Sequence, residues 1–480
     1  MVQLAVSIFT MMRARSLNVV LVAALTAGCA LAPPPQHSEL VDEALPKGTS
    51  IPPAWASDAN ADPVDDGWLK SLDDPILNAI VAEALANNLD LRQAADRVTI
   101  AQQSVIVAGA QLWPQIGAAA GGRTTHDFDH NNDSNTSIVL GTVAWEIDVW
   151  GKLRARRAAA VAGYEATALD YAYARQSLAA TVAQAWYLAI EARQLLALAE
   201  YSVNIYVQLL DLVSTRRSAG KDSDLDVADM RAKLETARSS VEAARQSYGD
   251  SRRALEVLLG RYPAAEIDVA TTYPLLPPPP AAGLPAALLE RRPDLIAAER
   301  EVLAAFRQEE VAKLALLPDF SFSFTGGRLG DPLFSLMSLN PWLVTAAIGA
   351  SIPIFTGGAL QAEVKIATAQ QQQAVGHYGS VVLVAFREVE DSLANEVLLA
   401  KRLPLEKTAV DARTEAVRIA TLQYKAGRRD LLWVSNLQTA ELDSQAALIK
   451  LWGLQRRNRI RLYLALGGSF DSTPSKAVSQ

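Results

Sequence analysis

Between Lys152 and Arg217 the chain contains no proline. Its apolar residues fall at spacings that alternate four and three: Leu178, Val182, Ala185, Ala189, Ala192, Leu196, Ala199, Val203, Tyr206, Leu210 and Val213. That is the heptad rhythm of helices packed side by side. A second series, Leu195, Leu198, Ser202, Ile205, Leu209 and Leu212, keeps the same rhythm on an adjoining face. The run predicts one helix on the order of 100 Å long, at about 1.5 Å per residue. A helix with two seams has a neighbour on each side. Carried round, that arrangement gives a ring of helices, a tube rather than a single bundle.

Ahead of this helix the period changes to two. From Ser137 to Trp150, the residues Val139, Gly141, Val143, Trp145, Ile147 and Val149 share one face, and Glu146 and Asp148 lie on the other. Phe320-Ser321-Phe322-Ser323-Phe324-Thr325 alternates strictly, as do the even-numbered positions between Trp342 and Ile354. Alternation with one apolar face predicts half-buried strands. Four strands of about 10–13 residues are expected, and about 9–11 tilted residues cross an outer membrane. Four strands cannot close a barrel, and an open edge in lipid is not viable, so copies of the chain must pool their strands. Two copies give eight, with an interior filled by side chains; three give twelve, wide enough for a lumen.

The order of elements occurs twice. Leu89-Asp90-Leu91 parallels Pro293-Asp294-Leu295, and Trp113-Pro114-Gln115-Ile116 parallels Leu317-Pro318-Asp319-Phe320, both at an offset of 204. Ala219-Gly220 parallels Ala426-Gly427, and Leu259-Gly260 parallels Leu466-Gly467, both at 207. The sequence therefore divides into a first repeat, 75–260, with a hairpin at about 115–150, and a second, 285–467, with a hairpin at about 319–355. A Pro-rich linker, 261–284, joins them and is expected to be extended. In each repeat a helix is expected first (from Pro75 to about Leu112 in the first), then two strands, a very long helix, a break, and a returning helix. Residues 29–74 read as an extended leader and 468–480 as a tail.

The N-terminus adds a destination. Arg13 and Arg15 precede an apolar run, Leu17 to Ala27, which ends in Gly28-Cys29. Residues 1–28 read as a secretory signal, too short in its core to span as a mature helix; Met11 or Met12 reads as the start. The stretch resembles the signal of bacterial lipoproteins, which implies that Cys29 is lipidated and becomes the mature N-terminus. Ala30 follows it, not an inner-membrane-retaining Asp. Cys29 is the sole cysteine of the chain, so no intrachain disulfide is expected. The net charge of −7 argues against nucleic acid as a partner. No later stretch approaches about 18 uninterrupted apolar residues, so no membrane-spanning helix is expected.

The lipoprotein start, the duplicated order, Trp113-Pro114-Gln115-Ile116, Ile147-Asp148-Val149-Trp150-Gly151 with its partner Pro353-Ile354-Phe355-Thr356-Gly357-Gly358, and the two Ala-Gly breaks together resemble the outer-membrane efflux channels of the TolC/OprM type. Within them the sequence is similar to the NodT-like lipoprotein branch. The resemblance implies an α+β membrane protein and a homotrimer with a 12-stranded β-barrel, four strands per chain, continued by a periplasmic α-helical barrel. It implies passive conduction from an inner-membrane resistance-nodulation-division (RND) pump and a periplasmic adaptor, and contact with outer-membrane lipid. Gly220 and Gly427 would be the periplasmic helix-turn tips. In the family a Tyr three before the second Gly and an Arg two after it bond an Asp six after the first. Carried over, these are Tyr424, Arg429 and Asp226, a closing gate. Asp222, Asp224 and Asp229 are possible pore-tip acids or simple helix-dipole partners. Trp433 and Asn436 stand where relatives often carry acidic residues that bind cations.

His126, Asp127, Asp129 and His130 sit together, but in an expected hairpin loop, where solvation is the simpler reading. No phosphate-binding Gly loop and no nucleophile elbow occurs, so neither an enzyme nor a cofactor beyond the lipid is expected. The remaining rivals are the duct of a type I protein-secretion system and a poreless coiled-coil lipoprotein.

Overall fold

The computed structural model describes residues 31–57, 60–130, 132–330 and 343–471. The signal segment, Cys29 and the end of the tail lie outside the described residues. In chain order, the described elements are α1 His37–Ala44, α2 Trp68–Ser71, α3 Pro75–Asn87, α4 Leu89–Ala110, β1 Gln115–Asp127, β2 Asn132–Ile147, α5 Lys152–Ser218 and α6 Asp224–Leu258. They continue as α7 Pro285–Arg291, α8 Pro293–Leu314, β3 Asp319–Gly330, β4 Leu343–Ser351, α9 Ala359–Lys425 and α10 Leu431–Ala465. The duplication extends to length. α5 and α9 each have 67 residues, and α6 and α10 each have 35.

Two elements differ from the sequence expectation. The helix expected from Pro75 to Leu112 is two, because Asn88 is extended, with φ −65° and ψ 126°. Its side chain accepts from the Leu91 N–H at 3.0 Å and donates to the Leu258 carbonyl at 3.1 Å, so a tertiary contact and a new helix cap offset the broken ladder. The leader, expected to be extended over 29–74, contains α1 and α2. α1 begins with a capping box in which the Glu39 carboxylate takes the Gln36 N–H at 3.0 Å.

The chain forms two compact units. The first comprises the described residues up to Thr49, Arg97–Ala168 and Ala297–Ser380; the second comprises Ser50–Asp96, Leu169–Ile296 and the described residues from Val381.

The first unit carries a four-stranded antiparallel sheet in the order β1-β2-β3-β4. Its central pair, β2 with β3, joins the two repeats. Directly opposed residues in an antiparallel pair share a face, so the register sorts the side chains. Ile116, Val143, Phe324 and Ala346 form one row, and Trp145, Phe322 and Ile348 the next. The other face carries Gly117, Thr142, Thr325 and Thr345 in one row, and Ala144, Ser323 and Ala347 in another. In these rows one face is apolar and the other small and hydroxylic, while the next row of the second face sets Leu140 beside Gly327 and Leu343. The apolar face is open: Ile116 is 83% and Ile348 79% exposed. Trp150 Nε1 donates to the Pro318 carbonyl at 2.7 Å. Asp148 starts α5 by accepting from the N–H groups of Leu153 and Arg154 at 3.1 and 3.0 Å.

The second unit holds the larger core. Trp68, Leu77, Trp186, Tyr187, Leu255 and Ile460 meet there, all at most 2% exposed. The expected α5 seams are partly covered within the chain: Val182, Ala189 and Val213 of the first are buried, as are Ser202 and Leu209 of the second. One 18-residue stretch of α5 is apolar enough on composition to cross a membrane, and 17% of it is buried within the chain. The heptad seams give that apolar content a different use, in helix packing.

The leader, linker and chain end are tied together in this unit. Trp55 Nε1 donates to the Ala282 and Gly283 carbonyls, the Gly67 N–H donates to Ser469 O, and Arg291 pairs with Asp66 at 2.6 Å. Glu256, 2% exposed, accepts from the N–H groups of Ala265, Glu266 and Ile267 at 2.6, 2.6 and 2.9 Å. Burial alone would raise its pKa, but the three backbone donors favour the carboxylate and hold the pKa below its ordinary value. A depressed folded-state pKa gives stability that is present above the unfolded value, about 4.3, and lost as pH falls through the folded one. Glu256→Gln is therefore expected to lower the thermal midpoint at pH 7 and to shrink the difference from wild type in acid. Thermal melts across pH check this.

Candidate functional site

α5 and α9 each end in the same turn. The Gly220 N–H donates to Arg217 O and the Lys221 N–H to Arg216 O, both at 2.9 Å; the Gly427 N–H donates to Tyr424 O and the Arg428 N–H to Gln423 O, also at 2.9 Å. This paired closure needs a left-handed residue at the glycine, and both glycines have φ +71°. An added Cβ would meet nothing within 4 Å at either position. The backbone angle alone selects glycine there. Gly427→Val is expected to cost about 1–2 kcal/mol per chain through that angle, read as a lowered thermal midpoint.

The helices that return are capped at equivalent positions. The Ser223 side chain accepts from the Asp226 N–H, and the Asp430 carboxylate accepts from the Trp433 N–H at 2.9 Å. Asp226 completes a capping box: its Oδ2 accepts from the Ser223 N–H at 2.9 Å and from Ser223 Oγ at 2.6 Å. Its carboxylate is thereby committed within its own turn.

Tyr424 meets a different acid. Its hydroxyl donates to Asp222 Oδ2. Arg216 grips the same carboxylate, from Nε at 3.0 Å and from Nη2 at 3.3 Å. The guanidinium lies over the Tyr424 ring, 4.5 Å from its centroid, and Nη1 donates to Lys425 O at 3.5 Å. Tyr424 is 1% exposed and the Asp222 side chain 8%. Beneath them Val213, Met230, Leu234, Ala420 and Val434 form a dry core. Burial, and then the hydrogen bond to Asp222, push the Tyr424 phenol pKa well above its ordinary value.

Of the expected gate, Tyr424 is thus at the turn but on Asp222, not Asp226. Arg429 does not reach Asp226 within the chain; its guanidinium stacks on the Trp433 ring, 4.2 Å from the centroid. Asp224 pairs with Arg217 at 2.6 Å on the surface, and Asp229 with Lys233 at 3.6 Å. Asp222, expected as a possible pore-tip acid, is enclosed by Arg216 and Tyr424. Sequence reasoning missed Arg216, although a signal was present. Arg216 is the next position of the second α5 seam after Ile205, Leu209 and Leu212, so the spacing already aims it at the helix interface.

Cys29 lies outside the described residues. Just after it, the Ala32 N–H donates to Glu310 at 2.8 Å and Ala32 O accepts from Arg307 at 2.7 Å, which fastens the start of the described chain to α8. Among the described residues no group of three His, Cys, Asp or Glu is placed to hold a metal ion. His126 and Asp127, expected in the hairpin loop, instead end β1, and Asp129 and His130 lie in the turn that follows; the His126 and Phe128 rings meet edge to face at 4.6 Å.

Comparison with known proteins gives a consistent picture. The family described as outer membrane efflux protein matches twice, over residues 80–261 and 284–468, once on each repeat. A pyoverdine export outer membrane protein of Pseudomonas putida, OpmQ, is 29% identical over 442 residues, 88% of this chain and 93% of its own. A solvent efflux pump outer membrane protein of Pseudomonas putida, SrpC, is 31% identical over 408 residues, 83% of this chain and 86% of its own. The open-state MtrE outer membrane channel of Neisseria gonorrhoeae superposes with a TM-score of 0.80 at 25% identity, covering 93% of this chain and all of that one.

Proposed function

Because the chain belongs to the family of outer membrane efflux proteins, we propose that it is the exit duct of a tripartite assembly. In this reading an inner-membrane RND pump and a periplasmic adaptor deliver drugs or other small toxic compounds, which pass through the duct unchanged. The protein is an outer-membrane channel component that extends into the periplasm, of the trimeric fold in which each chain gives four strands and part of a helical barrel.

The observation that carries the proposal is the sorting of the sheet. The apolar rows, Ile116-Val143-Phe324-Ala346 and Trp145-Phe322-Ile348, suit lipid, and the rows of Gly, Ser, Thr and Ala behind them suit a wet lumen. β1 and β4 are the sheet's edges, left to pair with other copies, since an open edge in lipid is not viable. Relatives are named for export of pyoverdine and solvents, which makes small organic compounds the reasonable substrate class here. Cys29 is proposed to carry the lipid, with Ala32 held on α8 three residues further on. Purified trimers in a planar bilayer are expected to show discrete single-channel openings. Well-folded trimers that never conduct would instead support a poreless lipoprotein.

A further inference from the structure

We infer that the cleft between α9, α10 and the Pro-rich linker, charged by Arg456, is a binding site for a singly charged organic carboxylate with an apolar body. The site lies wholly within the second unit. It goes beyond the channel reading and does not depend on it.

The cleft holds about 670 Å³, within the range of small-molecule sites, about 300–1,000 Å³. Leu275, Pro277, Leu393, Val397, Ala400 and Trp452 give it apolar walls, and Glu396, Arg456 and Arg459 are the charged side chains that line it. Arg459 is matched: it pairs with Glu396 at 2.7 Å and donates to the Pro277 carbonyl. Arg456 is not. Its Nη2 donates to the Pro274 carbonyl at 2.9 Å and its Nη1 to the Trp452 carbonyl at 3.2 Å, and its guanidinium lies 4.3 Å from the centroid of the Tyr273 ring. Its Nε is buried without a partner, and among the described residues no carboxylate pairs with it. Burial disfavours the cation, yet an arginine keeps its proton. A desolvated cation without an anion is destabilising, and an anion entering the cleft removes that penalty.

The duplication shows that the fold does not need this cation. At the offset of 207, Arg459 corresponds to Arg252, which also binds a linker carbonyl, that of Ile267, at 2.8 Å. Arg456 corresponds to Gly249. The wall differs as well. Leu393, Ala394 and Val397 stand where the first repeat has Trp186, Tyr187 and Ile190, which are at most 1% exposed and belong to the core. Smaller side chains leave room in the second repeat, and an added arginine charges it.

The charge selects the ligand. Glu396, Arg456 and Arg459 sum to one positive charge, so a monoanion neutralises the cleft and a dianion such as phosphate overshoots. Carbonyls take two of the five N–H groups of Arg456, which leaves donors for a carboxylate. The apolar walls suit a ring or chain behind it.

The test is equilibrium dialysis of naphthoate against full-length trimers in lipid nanodiscs, with empty nanodiscs as the blank. Wild type is expected to bind saturably. Arg456→Gln is expected to weaken binding on the order of tenfold, and neutral naphthamide is expected to bind wild type as weakly. Val397→Trp fills the cleft from its rim, where Val397 is 39% exposed, and is expected to abolish binding with Arg456 in place. It decides the matter if Arg456→Gln fails to form trimers. Equal binding of naphthoate and naphthamide, or full binding in folded Arg456→Gln or Val397→Trp trimers, would overturn the site. Absence of saturable binding to wild type would overturn it too; joined to loss of trimers in Arg456→Gln, it would assign the cleft to an acidic side chain of a neighbouring copy.

Discussion

Phe322→Arg is expected to abolish recovery of trimers from the outer membrane, while Ser323→Arg, one residue along, leaves them intact. The register is the reason. Phe322 lies in a row with Trp145 and Ile348, and Ser323 in a row with Ala144 and Ala347. A guanidinium on the lipid face of a membrane strand costs about 2–4 kcal/mol near the midplane, and a trimer incurs the cost three times. On the other face the same side chain meets water, where it changes ion selectivity and not folding. Electrophoretic mobility of unheated, membrane-extracted protein separates the two outcomes. Equal loss for both variants would mean that the sheet is not lipid-facing on one side.

Arg292→Met is expected to be the most damaging substitution away from the strands. The Arg292 side chain is 2% exposed. It binds Asp294 through two bonds at 3.0 and 2.7 Å, Glu388 at 2.8 Å, the Ala465 carbonyl at 3.2 Å and the Tyr173 hydroxyl at 3.3 Å. It therefore ties the start of α8 to α5, α9 and α10. Removing the cation leaves Asp294 without its partner in a confined site, and breaking a buried pair in this way costs about 3–5 kcal/mol. The thermal midpoint of the trimer should fall sharply. The equivalent contact in the first repeat is made without charge, since Asn88 takes the Leu258 carbonyl as Arg292 takes that of Ala465. Asn88→Ala should accordingly cost less than Arg292→Met, and the reverse order would count against this assignment.

The periodic parts of the fold were legible in the sequence. A proline-free heptad run gave α5 to within a residue at its end, alternation gave β2, β3 and β4 with their apolar faces, and two Ala-Gly pairs marked both turns, because each of these signals is local and repeated. What was not legible depends on partners far away in sequence. Asn88 breaks a run of helix formers only because Leu258 is there to receive its side chain. α1 lies in a leader whose prolines suggested an extended chain, yet Leu40 and Val41 are buried. At the tips Tyr424 and the acids were recognised, but Arg216 and the pairing were not. Asp226 and Asp222 are both acids shortly after Gly220. Which of them Tyr424 meets is settled by the capping box that occupies one and by Arg216, which holds the other.

The most direct test of the central claim is substrate accumulation in cells lacking their own outer-membrane efflux channels. Such cells would receive this protein and the adaptor and inner-membrane pump proposed to work with it, singly and together, and intracellular Nile red would be measured with each subunit's abundance checked by immunoblot. Accumulation should fall several-fold only when all three are present, and the fall should vanish when the proton-motive force is collapsed. If pump and adaptor alone lower accumulation as far as all three together, with this protein verified in the outer membrane, it is not the exit duct of that assembly.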